Sequence, residues 1–445
     1  MFMKTISLRA LFANFIPSVV RVQSRLLAIF ALAFSAGCTA LPNSAVTPPA
    51  PTPTQTVTIL LPTPQSQESP TGPVTLRIWV PPQFDPNQTT TAGRILAARL
   101  DEFTQRRPGV RLEVRVKALD GPAGLLESLT TTSAAAHQAL PDLVALPRPS
   151  LEAAALKGLL HPMDGLTLAM DDPDWYEYAR QLGRVQNSLF GLPFAGDALV
   201  LVYRPVEVVA PPTNISSVIT SSISLAFPAS DPQALFPLAL YLSAGGVILD
   251  DQGRPTLEES ILRDVLAFFK NAEAHEVSPD WLTQYQSHDE IWQVFLEKRT
   301  QMGVVWSSSF LAEILADSSA THIPALGGSP YTLATGWVWA SASPNPDKIN
   351  LSVELAEYLS TPDFLTKWTS AIGQLPVRPS ALATWQDTSM KSELDQIALS
   401  AHLYPNSDVL ATIAPPISLA TTQVFKQQSD PAVAASEAVK SLIKP

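Results

Sequence analysis

Cysteine is almost missing from this chain of 445 residues: Cys38 stands alone. One thiol excludes an intramolecular disulfide, and it excludes a zinc or iron–sulfur centre built on several cysteines. Charge is sparse as well, at 16% of residues, with 29 basic side chains against 40 acidic ones and a net charge of -11. Phosphate backbones are bound by clustered Lys and Arg, so this balance does not point to nucleic acid as a partner. The six histidines include no pair at i, i+4 and no His-Glu-x-x-His, which leaves a zinc protease unsupported. The chain has no Gly-x-Ser-x-Gly, no P-loop and no Gly-x-Gly-x-x-Gly after its early strands. Ser441-Leu442-Ile443-Lys444 is a Ser-x-x-Lys without supporting motifs, and we read it as chance. Acidic neighbours such as Asp171-Asp172, Asp250-Asp251 and Glu258-Glu259 are expected by chance among 40 acids, and adjacent carboxylates on a loop rarely face one substrate. We therefore expect no catalytic residue, no metal and no cofactor.

What is present is apolar material and proline. Hydrophobic residues make up 46% of the chain, enough for a core and too many for wholesale disorder. The length suits two or three domains, or two lobes of one larger unit. Proline outnumbers glycine, 41 to 19. Lys4, Arg9, Arg21 and Arg25 precede the apolar run Leu26–Ala36, and no acidic residue occurs before Cys38. A positive start, a short apolar run and closing small residues read as a secretory signal. About eleven apolar residues fall short of the roughly twenty that a membrane span needs.

Residues 1–37 resemble a bacterial lipoprotein signal, which implies lipidation of Cys38. Ser35 stands where a Leu is usual three residues before the Cys. Removing 1–37 takes away four cations and no anion, leaving a net charge of -15. Residues 38–73 then hold nine prolines and a single charge, Glu68. Proline-rich chain favours extended polyproline II, so a tether of order 100 Å is expected there, at about 3.1 Å per residue.

The body opens in a parallel α/β pattern. Val74–Val80 alternates with the period of a strand. Residues 92–106 place Leu96, Leu100 and Phe103 on one helical face, and Pro108-Gly109 stops them. Val110–Val116 alternates again, a helix is expected over 123–138, and Asp142–Leu146 reads as a short buried strand. This spacing is a βαβαβ unit. Ligands of such sheets sit beyond the carboxyl ends of the strands, which singles out Phe84 after the first strand and Arg148 after the third. Gly245-Gly246 is expected to cap a helix, and Tyr241 to lie in the core.

Further phrases follow in order: Phe-Gly-Leu-Pro-Phe-Ala-Gly-Asp-Ala-Leu-Val-Leu-Val-Tyr-Arg-Pro at 190–205, the Gly-Gly-containing stretch 241–257, Met-Gly-Val-Val-Trp at 302–306, Gly-Trp-Val-Trp-Ala at 336–340, and 355–382 with its Gly-Gln-Leu-Pro-Val-Arg-Pro. The ordered set resembles the extracellular solute-binding proteins of ABC importers, of the large type that carries sugars such as maltose, and covers about 74–445. Pro212-Thr213-Asn214-Ile215 departs from it, lacking the Trp the family usually has there. The resemblance implies an α/β, two-lobed periplasmic-binding-protein fold with a ligand cleft between the lobes. It places 74–195 with 301–342 in the first lobe and 196–300 with 343–445 in the second. Crossings are expected near 193–197, 298–303 and 340–346.

Sugars present apolar ring faces edged by hydroxyls, and their sites combine aromatic rings with hydrogen-bonding groups. Trp306, at the end of its strand, resembles the family's sugar-facing Trp. Trp337 and Trp339 are assigned to opposite sides of one strand, Trp337 toward the ligand and Trp339 into the core. Asp197 sits at an expected crossing, where a carboxylate can bind hydroxyls or a cation. Arg378 lies in a loop that the resemblance brings to the ligand, with a fork of donors to offer.

The expected ligand residues are thus Phe84, Arg148, Asp197, Trp306, Trp337 and Arg378. The expected protein is a monomeric, lipid-anchored, extracytoplasmic receptor that closes around a small solute, a sugar by preference, and hands it to ABC permease subunits. A sensory or scaffold lipoprotein and a secreted carbohydrate-active enzyme are the rival readings.

Overall fold

A computed structural model describes residues 73–385 and 390–443. The expected signal, Cys38 and the expected tether through residue 72 lie outside the described residues. The chain begins with β1 (Val74–Val80), a turn of 3-10 helix at Pro82–Phe84, α1 (Thr91–Arg106), β2 (Val110–Val116), α2 (Leu125–Ala135), β3 (Leu143–Pro147) and α3 (Arg148–Leu156). Strand β1 pairs in parallel with both β2 and β3, so the opening βαβαβ reading holds. The local causes are visible. The Thr90 side chain accepts from the Gly93 amide to start α1, and Leu96, Leu100 and Phe103 are buried on one face of that helix.

Next come α4 (Glu177–Leu182), a small hairpin of β4 (Arg184–Val185) and β5 (Ser188–Leu189), and the long β6 (Gly191–Tyr203). Then follow α5 (Ile215–Ser221), β7 (Leu225–Ala226), α6 (Leu235–Ser243), α7 (Glu259–Ala274), α8 (His288–Leu296), β8 (Met302–Trp306), α9 (Ser307–Ala312), β9 (Ser319–Thr321) and β10 (Thr332–Ser341). The chain closes with α10 (Pro346–Tyr358), α11 (Pro362–Ile372), α12 (Pro379–Ala383), α13 (Lys391–Ser400), β11 (Ala401–Leu403), α14 (Ser407–Phe425) and α15 (Pro431–Ile443). Where the expected Trp is missing, α5 is a single short helix started by a reciprocal Asn214–Ser217 cap. Helix α6 ends at Gly245 with φ +83°, as a glycine cap requires. A side chain on Gly246 would collide with the ring of Tyr241, whose hydroxyl donates to the Val247 carbonyl at 2.7 Å.

The strands run β2-β1-β3-β10-β6-β8-β7, with β11 beside β10 and β9 beside β6. Strand β6 is the link. Gly191–Ala198 pairs with β10, while Leu199–Tyr203 pairs with β8 on one edge and, from Leu201, with β9 on the other. The pattern Leu-Val-Leu-Val is buried throughout, as a strand covered on both faces must be.

Strand pairing sorts the strands into two groups along β6. Strands β8 and β9 pair with the outer half of β6 and not with the first sheet. Strands β8 and β9 therefore fall in the second group of strands, and β10 in the first. The stretch after β10 also stays with the first group. Lys348 donates to the Thr75 carbonyl at 2.6 Å, Arg99 to the Tyr358 carbonyl at 2.9 Å, and Ser343 to Asp142 at 2.5 Å. Helices α14 and α15 pack instead on α7. The reason is the place of β10: held between β3 and β6, it leads the chain out beside β3, where α10 finds the nearest apolar face.

Candidate functional site

The expected ligand residues divide into three sets. Phe84, buried, and Trp337, half-buried, meet edge to face with ring centres 4.9 Å apart. Phe84 also touches Phe194 at 5.4 Å, and Phe194 stacks on Trp339 at 4.6 Å. Trp337 and Trp339 thus feed one aromatic cluster, and the expectation of opposite sides is overturned. Residues two apart in a strand share a face. What separates them is position along β10: Trp339 is 1% exposed, while Trp337 keeps part of its surface open.

The second set is the two arginines. Arg148 is 3% exposed, and its nitrogens reach Glu152 Oε1 at 2.9 Å, the Leu182 carbonyl at 2.9 Å and Asn406 Oδ1 at 3.1 Å. Arg378 is 5% exposed, lies over the ring of Trp175 at 3.7 Å, and donates to Asp172 at 2.8 Å and to the Ser360 carbonyl at 2.9 Å. The Asp172 carboxyl is held below its ordinary range first by the Asp174 amide and then by Arg378.

The third set centres on Trp306, which is half-buried at the end of β8. The next residues start α9, and Asp197 of β6 serves that start. It accepts from the Ser308 amide at 2.9 Å, the Ser308 hydroxyl at 2.5 Å and the Ser307 hydroxyl at 2.8 Å. No cation neutralises Asp197 among the described residues. Burial pushes its carboxyl up to about 6, against the pull of those three hydrogen bonds.

Trp306 also meets the ring of buried His288, edge to face, at 6.0 Å. His288 donates from Nδ1 to the Val304 carbonyl at 2.8 Å, which leaves Nε2 as the bare nitrogen. That atom has no hydrogen-bond partner among the described residues and stands 3.8 Å from Asp231 Oδ2. Burial lowers the imidazole's basicity, and Asp231 opposes it. Asp231 in turn accepts the Gln233 and Leu235 amides, each at 2.9 Å, at the start of α6.

Beside this chain of contacts lies a groove of about 180 Å³. Pro149 after β3, Pro232 and Gln233 before α6, Tyr404 after β11, and Ser407 to Pro415 of α14 form its walls. Among the described residues, no charged side chain lines it. Larger grooves of about 450 Å³ lie elsewhere, between α1 and β2 and between α7 and residues 427–430. Each draws on one group of strands, whereas the smaller groove joins the carboxyl end of β3 to the start of α6, where such sheets bind ligands.

None of the six expected residues lines this groove; Trp306 reaches it through His288 and Asp231. Sequence reasoning missed Gln233, Tyr404 and His288. A usable signal existed for Gln233, because Asp231-Pro232 ahead of an apolar run marks a helix start. Tyr404, whose phenol burial pushes up to about 12, carries no such local sign.

Among solved structures, the chain is similar to the sugar-binding protein MalE from Xanthomonas citri, with TM-score 0.68 and 19% identity over 83% of this chain and 96% of that one. It is similar to maltose-bound MalE3 of T. maritima, with TM-score 0.62 and 16% identity over 83% and 99%. It is also similar to an ABC transporter solute-binding protein from Agrobacterium radiobacter in complex with ribitol, with TM-score 0.59 and 19% identity over 84% and 99%. These likenesses show the fold, two-lobed and α/β, of periplasmic binding proteins. No curated protein matches the sequence. Residues 98–393, well over half of the chain, match one family, and the chain belongs to it: the bacterial extracellular solute-binding proteins.

Proposed function

We propose that this protein is the capture receptor of an ABC importer for a neutral, hydroxyl-rich solute, a carbohydrate or polyol. The observation that carries the reading is the groove between the end of β3 and the start of α6, whose polar lining is the uncharged Gln233, Tyr404 and Ser407. A charged ligand would leave its charge unpaired there, at a cost that a hydroxyl avoids. Trp306 and Trp337 retain exposed ring surface that can cover sugar faces. The similar structures in complex with maltose and ribitol support the same ligand class.

In this reading one lobe comprises 74–198 with 332–383 and the other 199–331 with 407–443, hinged where β6 changes partners. Ligand bridging the groove shifts the balance toward the closed form, and the permease reads that form. Lipid on Cys38 holds the monomer at the outer face of the membrane, and residues 38–73 give it reach.

The test is thermal shift and tryptophan fluorescence of the Cys38→Ser chain starting at residue 38, against sugars, polyols, amino acids, polyamines and sugar phosphates. A ligand at 100 times its dissociation constant adds about 2.7 kcal/mol of stability. A response to sugars or polyols is expected. A response confined to amines or phosphates removes the neutral-solute reading, and silence from folded protein turns the reading toward a sensory or scaffold role.

A further inference from the structure

Helix α14 carries two consecutive prolines in its interior, Pro415 and Pro416. Proline is the costliest residue in a helix interior, because it lacks an amide hydrogen and its ring crowds the carbonyl four residues back. The carbonyl four residues before Pro415 belongs to Ala411, and both residues lie on the helix face that walls the groove. The next amide along, at Pro416, is missing too. The Ala411 carbonyl is therefore denied a donor at both i+4 and i+5. The Thr412 carbonyl, which faces Pro416 at i+4, keeps the Ile417 amide within reach at i+5. Ala411 is exposed, which leaves its carbonyl open to water as an alternative partner.

We infer that Pro415 is a specificity residue: it frees the Ala411 carbonyl as a backbone acceptor for one hydroxyl of the ligand, across the groove from Gln233. The inference rests on the neutral-solute reading above and deepens it. A lone carbonyl rewards a donor, and among the described residues no acidic side chain lines the groove to pair an ammonium. The matching group is a neutral hydroxyl, and an analogue lacking it leaves the carbonyl dry and unpaired.

The experiment compares wild type with Pro415→Ala, Pro415→Val, Pro416→Ala and Gln233→Ala, using maltose and ribitol as calorimetric probes and thermal unfolding as the control. Pro415→Ala restores the amide that Ala411 lacks, so it raises the melting temperature while weakening binding about tenfold. Pro415→Val keeps an apolar wall and restores the amide, so it weakens binding equally. Pro416→Ala returns an amide to Ala411 only at i+5, and that amide is drawn first to the Thr412 carbonyl at i+4, so it weakens binding less than Pro415→Ala does. Wild-type affinity in both Pro415 variants, with binding lost in Gln233→Ala, overturns the carbonyl role and leaves the receptor reading intact. Equal losses in Pro416→Ala and Pro415→Ala also overturn it, in favour of helix shape. Wild type that binds neither probe overturns this inference together with the neutral-solute reading.

Discussion

Two polar clusters flank the groove, and they differ in how completely their members are paired. In the first, Arg148 and Glu152 are buried together, and Glu152 also accepts the Ser407 amide at 2.9 Å and hydroxyl at 2.6 Å. In the second, His288 keeps a bare Nε2, Asp197 has hydrogen bonds without a cation among the described residues, and Trp306 is only half-covered. The Arg148–Glu152 pair, with its charges spent on each other and on neighbouring groups, holds shape and has nothing left for a ligand. A cluster with capacity left over responds to protons and to solutes. The arginines that sequence alone offers as ligand forks belong to the first kind, because burying a guanidinium demands that it be paired.

The sharpest way to break this comparison is Arg148→Met. It strands the buried Glu152 carboxylate and should cost about 3–5 kcal/mol, read by denaturant unfolding. Arg148→Met with Glu152→Leu should recover most of that loss. A cost below about 1 kcal/mol for the single variant would place Arg148 among the expendable groups.

Asp197 gives a pH signature. Its folded pKa, about 6, lies above that of an ordinary Asp. Its contribution to stability is therefore fully present below about pH 4 and lost as pH rises through about 6. Between those limits the loss amounts to roughly 2–3 kcal/mol. Asp197→Asn should remove this dependence, so the gap between variant and wild-type melting temperatures should move in the variant's favour from pH 4 to pH 7. A gap that stays constant across that range would mean the carboxylate is better hydrated than its burial implies.

Trp306→Ala should weaken binding of a responding sugar by about 1–3 kcal/mol while the fold persists. Isothermal titration beside a melting curve separates the two effects. Unchanged affinity would return Trp306 to the core. The smallest effect sets the baseline. Val206 is 88% exposed in the loop after β6, and Val206→Ser should change stability by no more than about 0.5 kcal/mol.

The opening strands and helices were legible because their signals are local. A period of two in Val74–Val80, a period of 3.6 in residues 92–106 and the Pro108-Gly109 stop each act within one element. Strand partners were less legible. Nothing near Met302–Trp306 announces that it will lie against Leu199–Tyr203, about a hundred residues away, and two such segments are equally apolar wherever they pair. The site was legible in its neighbourhood more than in its members. Trp306 reaches the groove only through His288 and Asp231, whereas Gln233 and Tyr404 line it from segments that read as an ordinary helix start and an ordinary loop. Arg378 looked free because its partners, Asp172 and Trp175, lie some two hundred residues away.

By itself the sequence determined the secondary structure of the opening unit and the family, since these rest on residue types, short spacings and the order of phrases. Only the tertiary structure decided which strands share a sheet, which arginines are spent on buried partners, and that Pro415 of α14 faces a groove. Those outcomes depend on contacts between distant segments, and a hydrogen bond's partner is settled by what the fold brings within about 3 Å of it.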